Sequence, residues 1–290
     1  MKLRSMLFVP ADSERKLAKS LASDADVLIL DLEDAVAEAR KPVARAMAAE
    51  YIGAHAATIK PRLFVRINPL DTALAMPDLA AVTVSGLAGI LLPKTRGTAD
   101  IVQLGHGLDA LEARAGLAAG SVKIVPVATE TPHAMLNMQG FGNTPLPRLA
   151  AVTWGAEDLS AAVGAVSNKD EDGAYSPLYD WAASLCLTAA AAAGVTPLDT
   201  VHTDFKDAAG LERACRASRR RGFRGRIAIH PDQVDTINAC YSPSAAERAH
   251  AQRIVDAFAA SPEAGTLSID GQMIDKPHLT QALRTLAAAG

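Results

Sequence analysis

Short apolar runs alternate with longer segments of helical periodicity along this chain. The apolar runs are SMLFVP (5–10), DVLILD (26–31), RLFVRIN (62–68), AGILLPK (88–94), VKIVPVATE (122–130), AAVTWG (150–155), TPLDTV (196–201) and RIAIH (226–230). The amphipathic segments between them include 13–23, 42–57, 98–115, 177–193 and 208–221. Strands that alternate with helices pair in parallel through helical crossovers, and eight such units in roughly 230 residues predict an α/β fold, a (β/α)₈ TIM barrel.

An open, doubly wound sheet is the alternative architecture, because the seventh run, TPLDTV, is weak. A dinucleotide-binding sheet of that kind carries Gly-x-Gly-x-x-Gly after its first strand. This chain has ADSERK there, and its nearest approach, GHG at 105–107, lies inside a helical pattern and lacks the third glycine. The barrel is therefore the favoured prediction.

The chain continues past its eighth strand with more residues than a barrel needs. A helical pattern at 245–260 is followed by TLSIDGQMID (266–275) and by a last helical segment from Pro277. We predict a catalytic barrel domain at 1–240 and a C-terminal helical arm or lid at 241–290. Such an arm either covers a site, reaches a neighbouring subunit or simply packs on the barrel.

Composition limits the classes of partner. The 290 residues are 49% hydrophobic and carry a formal net charge of −3, whereas nucleic acids and anionic membranes require a basic surface. Three separated cysteines without Cys-x-x-Cys suggest neither a disulfide framework nor a thiolate metal site. The basic N-terminus is followed only by MLFVP, and no apolar run approaches the ~20 residues of a membrane span. These features predict a cytoplasmic protein without nucleic-acid or membrane partners.

Polar residues recur where the predicted strands end. They are Asp31, Glu33, Asp34, Arg66, Asn68, Lys94, Glu130, Glu157, Asp158, Asp199 and His230. In a (β/α)₈ barrel the carboxyl ends of all strands converge on one face, where active sites are built. The sequence therefore predicts a shared polar site at this face.

Glu130 and Asp158 end two successive predicted strands, so we expect their carboxylates side by side. Two carboxylates with few other ligands suit Mg²⁺, which keeps several waters and takes further oxygens from a substrate. No His-x-x-x-His or His/Cys cluster accompanies them, which disfavours zinc. Structural pairing of either carboxylate with Arg or Lys is the alternative.

Two basic residues accompany these acids. Arg66 is the expected counter-charge, since its guanidinium can hold a substrate carboxylate bidentately; a salt bridge to Glu33 or Asp34 is the alternative. Lys94 raises the possibility of a Schiff-base aldolase, which requires a depressed pKa. Nearby acids should instead raise its pKa, so we interpret Lys94 as an electrostatic partner. His230 is either an acid–base group or a structural residue.

Eight short motifs along the chain are together more specific to one family than any single motif. They are RSMLFVP (4–10), DLEDAV (31–36), RIN (66–68), PK (93–94), ET (130–131), WGAEDL (154–159), GFRGRIAIHP (222–231) and DGQMID (270–275). In order and spacing they resemble the citrate lyase β-subunit-like family of carbon–carbon lyases in the HpcH/HpaI aldolase superfamily, which includes malyl-CoA, methylmalyl-CoA and citramalyl-CoA lyases. The resemblance covers nearly the whole chain.

The resemblance implies a Mg²⁺-dependent barrel enzyme. Its reaction would cleave a 3-hydroxyacyl thioester, of the citramalyl-CoA or malyl-CoA type, into acetyl-CoA and a 2-oxo acid. By motif match, Glu130 and Asp158 look like the metal ligands, with Glu130 also at the substrate, and Arg66 looks like the substrate-binding arginine. Glu33 and Asp34 fall where the family places acids around the metal's waters.

The same resemblance gives the C-terminal arm a role. Asp275 matches the family's acid–base aspartate, which in the thioester lyases reaches into the active site of a neighbouring subunit. It therefore implies a homo-oligomer, a trimer or hexamer. A citrate lyase β subunit acting on citryl groups of an acyl carrier protein is the alternative activity, and a non-catalytic barrel subunit is the alternative class.

Three positions depart from the family pattern. Ala11 stands where a Gly usually follows FVP, and Arg226 replaces a common Lys; both changes could alter thioester contacts. Ala162 occupies a position that is often acidic, which affects the expected surroundings of the metal. None of these departures removes a predicted ligand.

Overall fold

The computed structural model describes residues 1–288 and contains an eight-stranded parallel sheet. The strands are β1 (Ser5–Pro10), β2 (Val27–Asp31), β3 (Arg62–Arg66), β4 (Leu87–Leu92), β5 (Lys123–Pro126), β6 (Ala151–Thr153), β7 (Thr196–Asp199) and β8 (Gly225–Ala228). Hydrogen-bonded neighbours follow the order β5-β4-β3-β2-β1-β8-β7-β6. Isolated parallel bridges, Ile124 to Leu149 and Val127 to Thr153, join the two ends of this order. The sheet thus closes almost completely, which confirms the predicted barrel and shows that the open-sheet alternative is wrong.

Helices follow the strands along the chain. They are α1 (Glu14–Ser20), α2 (Lys41–His55), α3 (Ala75–Val82), α4 (Thr98–Ala115), α5 (Pro132–Leu136), α6 (Glu157–Val163), α7 (Pro177–Ala192), α8 (Ala208–Arg221) and α9 (Val234–Tyr241). The amphipathic segments predict α1, α2, α4, α7 and α8 to within a few residues. The short helices α3, α5 and α6 were not predicted, because five to eight residues give too few turns for a periodic pattern. No helix within residues 1–288 is long and apolar enough to cross a membrane.

Alternate residues of the strands build one buried cluster. It contains Leu3, Met6, Val27, Ile29, Phe64, Leu91, Val125, Val127, Ala151, Leu198 and Ile227. Side chains along a strand alternate between its two faces. Asp31 therefore continues the face of Val27 and Ile29, and Arg66 continues the face of Phe64. The period of two places an acid and a base next to each other at the end of this apolar layer.

A buried ion pair fixes the segment that leads into β6. Arg148 donates from Nη1 to Oε1 of Glu112 at 2.8 Å and from Nη2 to Oε2 at 2.6 Å. Both side chains are almost fully buried, so each charge needs a partner, and Arg148 also pairs with the exposed Asp109. Burial raises the pKa of Glu112, but hydrogen bonds from Arg148 and from backbone N–H groups outweigh this effect and lower the pKa to about 2.

The chain forms two compact units, of which the first spans Leu3–Asn238 and the second begins at Ala239. The second contains α10 (Ala245–Ala260), the antiparallel hairpin β9 (Thr266–Ile269) and β10 (Gln272–Asp275), and α11 (Lys276–Ala287). Sequence analysis anticipated both helices but not the hairpin. Its turn is Asp270-Gly271, with φ of 52° and 77°, the positive values that a tight two-residue hairpin turn needs. The last two residues of the predicted arm, 289 and 290, lie outside the described residues.

Candidate active site

Arg66 and Asp31 form the base of a charged site at the carboxyl ends of β2 and β3. Arg66 donates from Nε and Nη2 to the two carboxylate oxygens of Asp31 at 2.7 and 2.6 Å, and its Nη1 lies 2.8 Å from Oε2 of Glu33. The guanidinium also stacks over the ring of Phe8 at 4.5 Å. Burial opposes protonation here, but the Asp31 and Glu33 carboxylates raise the pKa of Arg66 above its ordinary value.

The DLEDAV loop after β2 is held by its own polar groups. Asp31 accepts the backbone N–H groups of Glu33 at 2.9 Å and Ala35 at 3.3 Å. The ammonium of Lys41, at the start of α2, donates to the carbonyl oxygens of Leu32 and Glu33, both at 2.7 Å. These contacts explain how a strand can end in acids: Asp31 is buried but bonded to a guanidinium and two N–H groups.

Lys94 brings a second cation to the same acids. Its Nζ lies 2.5 Å from Oε1 of Glu33, 3.2 Å from Oδ1 of Asp158 and 3.4 Å from Oδ2 of Asp34. Despite partial burial, these carboxylates raise the pKa of Lys94, which agrees with its interpretation as an electrostatic partner. A Schiff-base lysine needs the opposite shift.

Glu130 lies in the loop after β5 and is almost fully buried. Its Oε2 accepts the backbone N–H of Lys94 at 2.5 Å. Burial, and then the negative charge of Asp158, raise the pKa of Glu130 to about 8. A positive charge placed between these two carboxylates would offset their mutual repulsion, the second of the two causes of that shift.

Asp158 does not end a strand, which corrects the sequence interpretation. It lies in the first turn of α6, five residues after β6 ends at Thr153. It nevertheless comes close enough to Glu130 for their charges to repel, so the expected pair forms. Gly155, between β6 and α6, leaves room for Glu130, since a β-carbon at residue 155 would lie 2.7 Å from Cγ of Glu130.

These residues open into a cavity of about 810 Å³ within the first unit. Asp31, Asp34, Arg66, Glu130 and Asp158 are among the groups that line it. Apolar side chains complete the wall, including Leu7, Leu91, Val127 and Ile227. A large cavity with a few convergent charged groups is the usual form of a small-molecule site.

The oxygen donors of the site fit a hard divalent cation that takes its remaining ligands from water and the substrate. Five carboxylates, those of Asp31, Glu33, Asp34, Glu130 and Asp158, lie around the two cations Arg66 and Lys94. Within residues 1–288, no group of three or more His, Cys, Asp or Glu side chains is arranged to hold a metal by itself. Two carboxylates completed by water and substrate oxygens suit Mg²⁺, and a protein-only cage of the zinc type does not match.

Asp275 lies in the second unit, at the point where β10 ends and α11 begins. It caps α11, and its Oδ1 lies 2.5 Å from Nδ1 of His278. This hydrogen bond lowers the pKa of Asp275. Its role in proton transfer stays a prediction.

Other strand-end residues have structural partners. His230 accepts the N–H of Asp232 at 3.3 Å and stacks on Phe205 with ring centres 4.9 Å apart. Arg226, one of the family departures, ion pairs with Asp199 and donates to the carbonyl of Thr200 at 3.0 Å. The polar residues at the ends of β7 and β8 thus have partners within the protein.

Sequence reasoning missed three residues that shape the site. Asp31 was noted as a strand-end acid without a role, although strand periodicity placed it beside Arg66. Lys41 lies in a helical pattern and gave no signal. Gly155 belongs to WGAEDL, where a glycine at the end of the predicted sixth strand was the available signal.

Comparisons with known proteins agree with this geometry. The model of the HpcH/HpaI aldolase/citrate lyase family matches residues 4–231. A citrate lyase subunit beta-like protein of Mycobacterium tuberculosis is 36% identical over 285 residues, which are 98% of this chain and 94% of that protein. A (3S)-malyl-CoA thioesterase of Cereibacter sphaeroides is 35% identical over 290 residues, covering 99% and 94%.

A solved structure extends the similarity to three dimensions. The crystal structure of CitE from M. tuberculosis in complex with magnesium, acetoacetate and coenzyme A has a TM-score of 0.77 and 34% identity, covering 99% of this chain and 97% of that one. The matched segment runs from the first strand to the end of the last barrel strand and includes every acid and base of the site in the first unit. The chain therefore belongs to the HpcH/HpaI aldolase/citrate lyase family.

Proposed function

We propose that this protein is a Mg²⁺-dependent carbon–carbon lyase. It cleaves a 3-hydroxyacyl thioester, of the citramalyl-CoA or malyl-CoA type, into acetyl-CoA and a 2-oxo acid. The observation that carries the proposal is the repelling carboxylate pair of Glu130 and Asp158 beside Arg66 in one cavity. The magnesium and coenzyme A bound to the M. tuberculosis CitE structure, and the malyl-CoA substrate named for the C. sphaeroides relative, support it.

The proposed metal ligands are Glu130 and Asp158, with Glu33 and Asp34 around the metal's waters. Mg²⁺ bound there supplies a Lewis acid and template for the oxygens of the 2-oxo acid. Glu130 is already ordered, because the Lys94 N–H holds its Oε2.

Arg66 is proposed to bind the substrate. A guanidinium has five N–H donors, so its contacts with Asp31 and Glu33 leave donors for a ligand. Cleavage leaves negative charge on the thioester enolate oxygen, and a fixed cation at that place stabilises the transition state more than the substrate. The Asp31 carboxylate prevents the guanidinium from turning away.

Asp275 is proposed to move the proton: in cleavage it would take the proton of the 3-hydroxyl and, once the carbon–carbon bond has broken, give it to the enolate carbon to form acetyl-CoA. In the reverse direction it would take a proton from the methyl group of acetyl-CoA and give it to the oxygen of the former 2-oxo group. Such a positioned acid–base group typically contributes about 10²–10⁴ in rate. We propose that residues 1–240 form the catalytic domain and 241–290 an arm or lid, in a cytoplasmic homo-oligomer, a trimer or hexamer, whose subunits complete one another's sites with Asp275.

A citrate lyase β subunit that acts on citryl groups of an acyl carrier protein is the second candidate, supported by the citrate lyase name of the M. tuberculosis relative. A non-catalytic barrel would have no chemical reason to keep this arrangement of acids and bases. A Schiff-base aldolase at Lys94 is disfavoured by three carboxylates that keep its amine protonated.

The substrate is tested with citramalyl-, malyl- and methylmalyl-CoA and with citryl thioesters, with Mg²⁺ or EDTA. A lyase releases a 2-oxo acid, whereas a thioesterase releases free thiol without one. We expect Mg²⁺-dependent 2-oxo acid release from a CoA thioester. Release only from the carrier-bound thioester would favour the second candidate, and EDTA-resistant release with borohydride trapping at Lys94 would overturn the metal mechanism.

Variants test the roles of the residues. Glu130→Gln and Asp158→Asn should each lose Mg²⁺ binding and activity, whereas Asp275→Asn should bind Mg²⁺ and lose turnover. Mixing inactive Glu130→Gln with inactive Asp275→Asn subunits should restore activity if sites form between subunits. An Asp275→Asn enzyme with the wild-type rate contradicts the proton-transfer assignment, and an active monomer contradicts the shared site.

A further inference from the structure

Lys94 has a backbone conformation that a side chain with a β-carbon seldom adopts. Its φ is 49°, in the left-handed region. Asp270 is the other non-glycine residue of positive φ in the described chain, and the tight hairpin turn explains it. Lys94 instead lies two residues after β4 ends, at the polar face of the barrel. Residues persist in such conformations where their surroundings hold them, and they cluster at functional sites.

Lys94 contacts both proposed metal ligands, one through its backbone and one through its side chain. The backbone N–H donates to Oε2 of Glu130 at 2.5 Å. The ammonium lies 3.2 Å from Oδ1 of Asp158 and 2.5 Å from Oε1 of Glu33. The left-handed backbone thus lets a single residue position one carboxylate and neutralise the other.

The position of this ammonium has an electrostatic consequence. Without a metal ion, it offsets the mutual repulsion of Glu33, Asp34 and Asp158, which we call the acid cluster. With a metal ion at Asp158, two cations would share one carboxylate and repel each other. The repulsion between a unit charge and a divalent ion a few ångströms apart is large even in strongly screened surroundings.

We infer that Lys94 is an internal counter-cation that competes with the divalent ion for Asp158. It keeps the acid cluster assembled when no ion is bound, and it lowers the affinity of the site for the ion. Lys94 is thus a positioning residue rather than a catalytic one. The inference rests on the proposed function in taking Glu130 and Asp158 as metal ligands.

A purely structural role for Lys94 predicts the opposite change in the affinity for the metal ion. If Lys94 only held the acids in place, its removal would let them move apart, and metal binding would weaken. If it competes with the ion, its removal strengthens metal binding. The sign of the change in affinity therefore separates the two roles, independently of turnover.

The experiment measures Mn²⁺ binding by the electron paramagnetic resonance signal of the free ion, and Mg²⁺ binding by competition. Lys94→Met removes the charge and keeps the stem. Lys94→Gly removes the charge, keeps the N–H that binds Glu130 and adopts positive φ without strain. Lys94→Arg keeps the charge. Lys60→Met is the matched control, because it removes an exposed lysine that pairs with Asp24 at 2.6 Å.

We expect Lys94→Met and Lys94→Gly to bind Mn²⁺ about tenfold more tightly than wild type, the step expected from losing a nearby unit charge. Lys94→Arg and Lys60→Met should remain near the wild-type affinity. Unchanged or weaker binding in the Met and Gly variants overturns the inference, and urea unfolding of each variant verifies that it is folded.

The same titrations separate this inference from the proposed function. Wild-type protein that binds Mn²⁺ while Glu130→Gln does not supports the metal site, whatever the Lys94 variants show. Wild-type protein that binds no Mn²⁺, or binds it equally without Glu130, overturns both. Normal wild-type binding with no tightening in the Lys94 variants overturns only the role of Lys94.

Discussion

Replacing Gly155 by alanine tests whether the position of Glu130 decides metal binding. A β-carbon at residue 155 would lie 2.7 Å from Cγ and 3.1 Å from Oε1 of Glu130, and 3.3 Å from Cγ1 of Val127. A carbon–carbon contact needs about 3.5 Å or more, so Glu130 must move by several tenths of an ångström. It has little freedom to do so, since it is buried and its Oε2 is held by the N–H of Lys94.

We expect two measurable effects of Gly155→Ala. Overpacking should lower the free energy of unfolding by about 1–3 kcal/mol, measured by urea denaturation. The displaced carboxylate should weaken Mg²⁺ binding by about 10–100-fold, as when the support of a metal ligand is lost, measured by calorimetric titration. The activity with the best thioester should fall by a similar factor at limiting Mg²⁺.

Gly107→Ala is the matched control. Gly107 lies within α4, and a β-carbon there would meet nothing within 4 Å. Alanine in a helix interior should therefore raise the free energy of unfolding by about 0.4–1 kcal/mol and leave Mg²⁺ binding unchanged. If Gly155→Ala binds Mg²⁺ as tightly as wild type, the packing of residue 155 does not position Glu130, and the reasoning from this contact is wrong.

Three further changes test the charge pairs and the barrel. The pKa of Glu112 lies at about 2, below its usual 4.5, so this carboxylate stabilises the fold above about pH 4.5 and loses its contribution of at most about 3 kcal/mol as the pH falls toward 2. Glu112→Gln should flatten the dependence of the free energy of unfolding on pH in that window and destabilise the protein at pH 7, because Arg148 loses its buried counter-charge and keeps only the exposed Asp109. Arg66→Lys should raise KM more than tenfold and lower the free energy of unfolding by about 1–3 kcal/mol, because lysine cannot replace the bidentate pair with Asp31. A variant with the wild-type KM would contradict the substrate-binding role of Arg66. Gly225→Ala should cost more than about 2 kcal/mol in urea unfolding, because its methyl would lie 2.7 Å from the backbone carbonyl of Arg4, which cannot give way; wild-type stability would show that β8 can shift.

Local patterns in the sequence determined the barrel and the family. Each strand is a short apolar run, and a helix between two strands supplies the crossover that parallel pairing needs, so the eight parallel strands follow from local periodicity. The same rule placed Arg66, Lys94 and Glu130 at one face, because the ends of parallel strands converge. The ordered motifs supported the family, which the comparison confirms. The roles of the site residues, the domain limits, the trimer and the location in the cell stay proposals.

Tertiary structure alone decided which charges pair at the site. Arg66 binds Asp31 across 35 positions of the chain, and Lys94 reaches Glu33 across 61. Asp158, expected at a strand end, lies in the first turn of α6, because WGAEDL forms a loop and a helix start that short local periodicity does not reveal. The close approach of Gly155 to Glu130 likewise joins two loops that are separate in the sequence. Sequence periodicity reports which face a residue occupies, whereas the partner of a buried charge depends on packing between segments that are distant in the chain.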